Sequence, residues 1–248
     1  MRGHSSTGFR DATTNLDSVL VLAFDTATPA VTVALRDDSA VLAERTVVDA
    51  RRHGELLAPC IAAVLSAADR ETAELTAIAV GVGPGPFTGL RVGLVTALAL
   101  GDALRIRVYG VCSLDILAYA SKLDGPYAVA TDARRREVYW ARYSGLARTE
   151  GPHVDRPGAA ATQTVGLPVV GAGALLYPDD FPNAREPRFP TASALADWVA
   201  LGRPTLPPQP LYLRRPDAVE PAARKLVTAA SRGDRPPTRP EGLAGPTG

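Results

Sequence analysis

Residues 78–104, I-A-V-G-V-G-P-G-P-F-T-G-L-R-V-G-L-V-T-A-L-A-L-G-D-A-L, constrain the fold more than any other stretch of the chain. Ile78, Val80 and Val82 read as a buried strand. Gly83-Pro84-Gly85-Pro86 reads as a loop of defined shape, since glycine reaches backbone angles that other residues avoid and proline fixes its own. A helix is expected from Thr88 to about Leu104, with the Thr88 hydroxyl as its N-cap. Leu90, Val92, Leu94, Val95, Leu98, Leu100 and Leu104 surround this helix, so it is expected to be covered on most sides. Gly89, Gly93, Ala97 and Gly101 recur every four residues and fall on one face. Interior glycine costs about 1 kcal/mol against alanine, so the repeated small residues point to close packing. Two partners for that face stay open: another part of the same domain, or a second subunit. Arg91 and Asp102 interrupt the run before it reaches the ~20 apolar residues of a membrane span, so no span is expected.

The 46% hydrophobic and 21% charged residues are those of an ordinary globular chain. A formal net charge of +1 creates no global attraction to nucleic acid or anionic lipid. Cys60 and Cys112 form no C-x-x-C pair, and the polar segment 1–18 lacks the apolar core of a signal peptide. A reduced, cytoplasmic protein is therefore expected, with residues 1–18 as a disordered leader.

Apolar runs at 19–24, 31–35 and 41–48 read as three strands, the first ending at the oxygen-rich turn Asp25-Thr26-Ala27-Thr28. Helical spacing covers 53–68, where Pro59 is expected to bend or separate the first turn. A strand at 106–111 leads to a helix at 113–120 with Ser113 as its cap. Strands at 127–131 and 137–143 flank the turn Asp132-Ala-Arg-Arg-Arg136. Residues 145–166 carry only weak signals. A short strand at 168–170, a helix start at 171–173, a helix at 193–201 and an extended segment at 211–215 follow. The order implies mixed sheets with helices, in two related α/β halves. The division is a lobe at 19–120, a smaller lobe at 121–218 and a disordered tail at 219–248, with a short helix near 222–229.

Few residues nominate themselves for chemistry. His4, His53 and His153 are scattered, with no H-E-x-x-H, so no metal site is expected. No G-x-S-x-G elbow is present. The loop 83–89 lacks the lysine of a P-loop, and its third glycine falls at 89 rather than 88, so it fails as G-x-G-x-x-G. Asp132 is either a turn residue, an arginine-orienting group or a Mg²⁺ ligand. The run Arg134–Arg136 is either a solvated face or an RNA contact.

Several motifs appear together in order between Val19 and Ala218: V-L-A-F-D-T-A-T, R-H-x-E-L-L-x-P, G-x-G-P-G-P-F-T-G-L-R-x-G, G-V-C-S-L-D, D-A-R-R-R-E-V-Y-W-A and Y-L-R-R-P-D-A. This set resembles the TsaB (YeaZ) family. The resemblance implies an ASKHA fold, as in actin, Hsp70 and sugar kinases, made of two α/β lobes with mixed sheets. It also implies a non-catalytic subunit in the formation of N6-threonylcarbamoyladenosine on tRNA beside the anticodon. The implied partners are a TsaD-like subunit, which carries the chemistry, and a TsaE-like ATPase. A homodimer of the isolated chain and a direct contact with tRNA stay open. ATP and metal are expected on the partner subunits and no cofactor on this one. Ala27 stands where nucleotide-binding relatives of the fold carry glycine, and the stretch after Val111 has no histidine. The implied interface is formed by the helices at 53–68 and 88–104, through His53, Leu57, Leu90, Gly93, Leu94, Ala97 and Gly101. A hydrolase of the M22 peptidase type and an ATP-dependent kinase of the same fold are the alternatives.

Overall fold

The computed structural model describes residues 19–214. The leader at 1–18, the tail at 219–248 with its expected helix, and the last residues of the Y-L-R-R-P-D-A motif lie outside them.

The first sheet has the order β3-β2-β1-β4-β5. Its strands are β1 (Val21–Asp25), β2 (Ala30–Arg36), β3 (Val41–Val48), β4 (Ala77–Gly81) and β5 (Arg107–Val111). β1 to β3 form an antiparallel meander, with Asp25 opposite Thr32 and Ala30 opposite Val48. β1, β4 and β5 run parallel, with Leu22 beside Ile78 and Ile78 beside Val108. β1 and β4 are buried on both faces, which their unbroken apolar sequences allow. β3 is an edge strand, and its inner residues Glu44, Arg45 and Thr46 are exposed.

The second sheet, β10-β9-β6-β7-β8, repeats this plan. β6 (Pro126–Asp132), β7 (Val138–Ser144) and β8 (Ala147–Asp155) make the meander, and β9 (Val169–Val170) and β10 (Ala184–Arg185) add the parallel strands. The helices repeat as well. α1 (His53–Ala67), α2 (Phe87–Leu104) and α3 (Ser113–Ser121) follow β3, β4 and β5, while α4 (Pro157–Gln163), α5 (Ala172–Leu176) and α6 (Ala192–Ala200) follow β8, β9 and β10. Each half is thus β-β-β-α-β-α-β-α, and the two halves share a topology. β8 and α4 fill the region where the sequence carries only weak signals.

α1 and α2 cover one face of the first sheet, and the core there contains Leu22, Phe24, Val33, Leu57, Ile78 and Leu90. α3 and α6 cover the other face through Ile116, Leu195 and Trp198. α3 also packs under the second sheet, where Leu114 and Leu117 meet Tyr127 and Val129. Although α6 follows the second sheet in the chain, it returns to the first. Arg36 Nε donates to Asp197 Oδ1 at 2.7 Å and the Ser193 N–H to Glu44 at 3.1 Å, tying α6 to β2 and β3. The terminal helix of the second half therefore belongs to the first lobe's core rather than to the 121–218 lobe that chain order suggests.

Three local expectations change. α2 begins at Phe87 with Pro86 in the capping position, so Thr88 lies inside the first turn and its hydroxyl caps nothing. Cys112, not Ser113, precedes α3, and the Ser113 hydroxyl is engaged elsewhere. α1 runs through Pro59 without a break. The carbonyl that Pro59 frees is that of Glu55, an exposed residue.

Candidate functional site

The turn between β1 and β2 lies against the N-terminal end of α2, and the glycines of α2 make that contact possible. Thr26 Oγ1 donates to the Gly89 carbonyl at 2.8 Å and accepts from the Gly93 N–H at 3.1 Å. A methyl group at Gly93 would stand 2.5 Å from Thr26 Oγ1, and one at Gly89 would stand 2.5 Å from the Thr26 carbonyl oxygen. At Gly85 it would collide with the backbone of Ala27, and at Gly101 with Val108 on β5. The stripe of small residues is thus the face by which α2 approaches its own sheet.

This placement puts the side chains expected at the interface inside the chain. Leu57, Leu90, Gly93, Leu94, Ala97 and Gly101 are all buried within the chain's own core, and so is His53. His53 Nε2 lies 2.8 Å from the Thr28 carbonyl oxygen, joining the start of α1 to the β1–β2 turn. Burying Leu90 and Leu94 contributes about 1.5–3 kcal/mol each, and the packed sheet claims them before any partner can. A four-residue repeat identifies a face without saying what lies on it.

The outward face of the same helices is the one left uncovered. Val95 is 64% exposed and Leu98 46% exposed, with Ala99 beside them. On α1, Gly54, Ala58 and Ala62 are exposed at four-residue spacing and give a smooth surface. The two helices are neighbours: a methyl group at Gly54 would reach ordinary contact with Val92, at 4.0 Å. By length and composition α2 is apolar enough to cross a membrane. In the fold its small-residue face is seated on the first sheet.

Asp25 ends β1. It is buried, with Oδ2 accepting from Ser113 Oγ at 2.5 Å and Oδ1 from the Ala27 N–H at 2.8 Å. Burial pushes its carboxyl above the usual carboxylate range, against the opposing effects of the Ser113 hydroxyl, the Ala27 N–H and nearby His53. In the turn after it, Ala27 is buried and Gly85 lies directly on it, so the Ala27 side of the turn is filled by the chain itself.

Beside the turn is a cleft of about 200 Å³ whose walls include Thr26, Thr28, Arg51, Thr88 and Arg134. That is smaller than the ~300–1,000 Å³ of most small-molecule sites. Arg134 comes from the β6–β7 hairpin, where Arg134, Arg135 and Arg136 have φ of 62°, 54° and 59°. Three successive non-glycine residues in the left-handed region cost about 1–2 kcal/mol each, so the hairpin is held by its surroundings. Asp132 Oδ1 accepts from the Arg134 N–H at 2.8 Å and Oδ2 lies 3.6 Å from the Arg134 guanidinium, so Asp132 both closes the turn and orients an arginine. Glu137 pairs with Arg214, and Arg214 Nη1 donates to the Ala133 carbonyl at 3.1 Å. Among the described residues, no group of three or more His, Cys, Asp or Glu could hold a metal ion.

A second feature gave no signal in the sequence. Phe87 and Tyr212 stack with ring centroids 5.6 Å apart. The Arg91 guanidinium lies 3.7 Å from the Phe87 centroid, and its Nε donates to the Tyr212 hydroxyl at 3.0 Å. Arg91 and Tyr212 are 121 positions apart, and only the fold brings them together.

The duplicated β-β-β-α-β-α-β-α halves define a two-lobed α/β protein of the ASKHA type, one whose first-lobe turn is closed by its own glycine loop. Comparison with known proteins narrows this class. Residues 41–202 match the family model described as TsaD, tRNA N6-adenosine threonylcarbamoyltransferase. An uncharacterized protein of Mycobacterium tuberculosis is 50% identical over 201 residues, 80% of this chain and 93% of that protein. The tRNA threonylcarbamoyladenosine biosynthesis protein TsaB of Escherichia coli is 36% identical over 126 residues. That match covers 50% of this chain and 54% of the E. coli protein, about half the length of each. The structure of YeaZ from Pseudomonas aeruginosa superposes with a TM-score of 0.65 at 28% identity, over 79% of this chain and all of that one. The chain belongs to the TsaB (YeaZ) family.

Proposed function

We propose that this chain is a non-catalytic subunit of the machinery that forms N6-threonylcarbamoyladenosine on tRNA, and that it binds a TsaD-like subunit through the outward face of α1 and α2. The observation that carries the reading is the uncovered apolar surface made by Ala58, Ala62, Val95, Leu98 and Ala99 on two adjacent helices. Exposed apolar side chains on neighbouring helices give another molecule something to pack against. The seven side chains expected at the interface act behind this surface. His53 fixes the start of α1, and Gly93, Ala97 and Gly101 let α2 lie flat on the sheet, so that Val95 and Leu98 point outward.

The closed β1–β2 turn supports a non-catalytic role, because a phosphate placed there meets the buried Ala27 and the Gly85 backbone. ATP and metal then belong to the partner subunits, including a TsaE-like ATPase. The outward face is also available to a second copy of this chain, which gives a homodimer when the partner is absent. The test is reconstitution: purified TsaD-like and TsaE-like subunits with tRNA and the threonylcarbamoyl donor, with and without this chain. Nucleoside analysis by mass spectrometry should show product formation that depends on adding the chain. Equal formation without it refutes the reading.

A further inference from the structure

We propose that the surface running from the Phe87–Tyr212–Arg91 stack across the Arg51–Arg134 cleft to Arg136 is an RNA-contacting surface, taking unpaired bases on the stack and phosphates along the arginines. The identity of the RNA as the tRNA substrate rests on the function proposed above; the chemistry of the surface does not. The two parts adjoin through short pieces of chain. Phe87 precedes Thr88 on the cleft wall, and Tyr212 lies two residues before Arg214, which bonds to the residue preceding Arg134.

Three observations favour RNA. Phe87 is 45% exposed and Tyr212 37% exposed, so stacked aromatic rings are offered to solvent with a guanidinium already on one of them. A nucleobase extends such a stack whatever its sequence. Among the described residues, the cleft wall carries Arg51 and Arg134 with hydroxyls from Thr28 and Thr88, and the Asp132 carboxylate that pairs with Arg134 at 3.6 Å leaves that guanidinium half exposed. Its size suits a phosphate better than a nucleoside. Finally, the β6–β7 hairpin holds Arg134 and Arg136 exposed at its tip in left-handed backbone, an arrangement that local propensity opposes and that functional sites often retain. The net charge of +1 conceals this, because the positive charge is local.

The test is fluorescence anisotropy of a labelled tRNA anticodon stem-loop titrated with the complex of this chain and its TsaD-like partner, at several KCl concentrations. The double variant Arg51→Glu/Arg136→Glu should lower affinity about tenfold at low salt and reduce the slope of log K against log salt by about two. Tyr212→Ala should lower affinity about fivefold or more while leaving the slope unchanged. Arg105→Glu, at the far end of α2, is the charge control and should change affinity less than twofold. Each variant is also checked for an unchanged melting midpoint and unchanged co-elution with the partner. If the double variant and Tyr212→Ala bind RNA as the wild type does, the proposal is overturned. It is equally overturned if they lose the protein partner and keep RNA, which makes the surface a protein interface. If the wild-type chain does not co-elute with the partner, the function proposed above fails. The same titrations on the isolated chain then decide the RNA surface.

Discussion

Gly93→Ala tests the packing logic of the whole first lobe. At an open helical position the substitution stabilises by about 1 kcal/mol, because alanine is the better helix former. Here the new methyl would lie 2.5 Å from Thr26 Oγ1, a distance that requires either the turn or the helix to move. Overpacking of this kind costs about 1–3 kcal/mol. Displacing Thr26 also weakens its bonds to the Gly89 carbonyl and the Gly93 N–H, at about 1 kcal/mol for a hydrogen bond. The net loss is about 1–3 kcal/mol. For a domain of this size each kcal/mol moves the melting midpoint by about 2–4 °C, so differential scanning calorimetry should show a fall of about 2–12 °C. Gly54→Ala is the matched control. Its methyl would meet Val92 at 4.0 Å, an ordinary contact, and the midpoint should hold or rise. A rise for Gly93→Ala would mean that the small-residue face is open, and the account of α2 would fail.

Two further outcomes follow from buried titratable groups. Burial raises the folded-state pKa of Asp25 above its unfolded value, so the native state binds the extra proton. Stability that favours wild type at low pH is therefore lost as pH rises from the unfolded value through the raised folded one. In urea titrations the stability of wild type relative to Asp25→Asn should decline with pH across that window and then level off; a pH-independent difference contradicts it. Burial likewise pushes the Cys112 thiol up to about 12. Native protein at pH 8 should leave Cys112 unmodified by iodoacetamide while urea-unfolded protein is alkylated there, as peptide mass spectrometry reads directly; rapid native labelling contradicts the burial.

Much of the first lobe was legible because its signals are local. The apolar runs at 19–24, 31–35 and 41–48 and the helical spacing after His53 each declare their structure within a few residues. The glycine stripe declared that something packs closely on α2, but both a sheet and a partner leave the same pattern. The deciding contacts, Thr26 with Gly93 and Val108 with Gly101, depend on which strand lies beneath. The order of elements already implied two related halves, whereas their matching strand order resides in the pairing of strands and not in repeated residues. β8 and α4 lie in a stretch of glycine, proline, alanine and threonine with little hydrophobic periodicity, and tertiary pairing with β7 makes the strand. The Phe87–Tyr212 stack joins two residues whose meeting depends on the path of the segment after α6. The return of α6 to the first sheet was hidden for a similar reason, since its amphipathic pattern fits either lobe.

The central claim is that the outward face of α1 and α2 receives the partner, and Val95→Arg tests it most directly. Val95 is 64% exposed, so the substitution leaves the core untouched and places a charge in the middle of the apolar surface. Calorimetric titration against the TsaD-like subunit should show binding by wild type and a weakening of about thirtyfold or more for Val95→Arg, about 2 kcal/mol, the scale of a residue central to an interface. The melting midpoint of the isolated variant should match wild type. Unchanged affinity in a fully folded Val95→Arg protein would place the partner elsewhere and contradict the account.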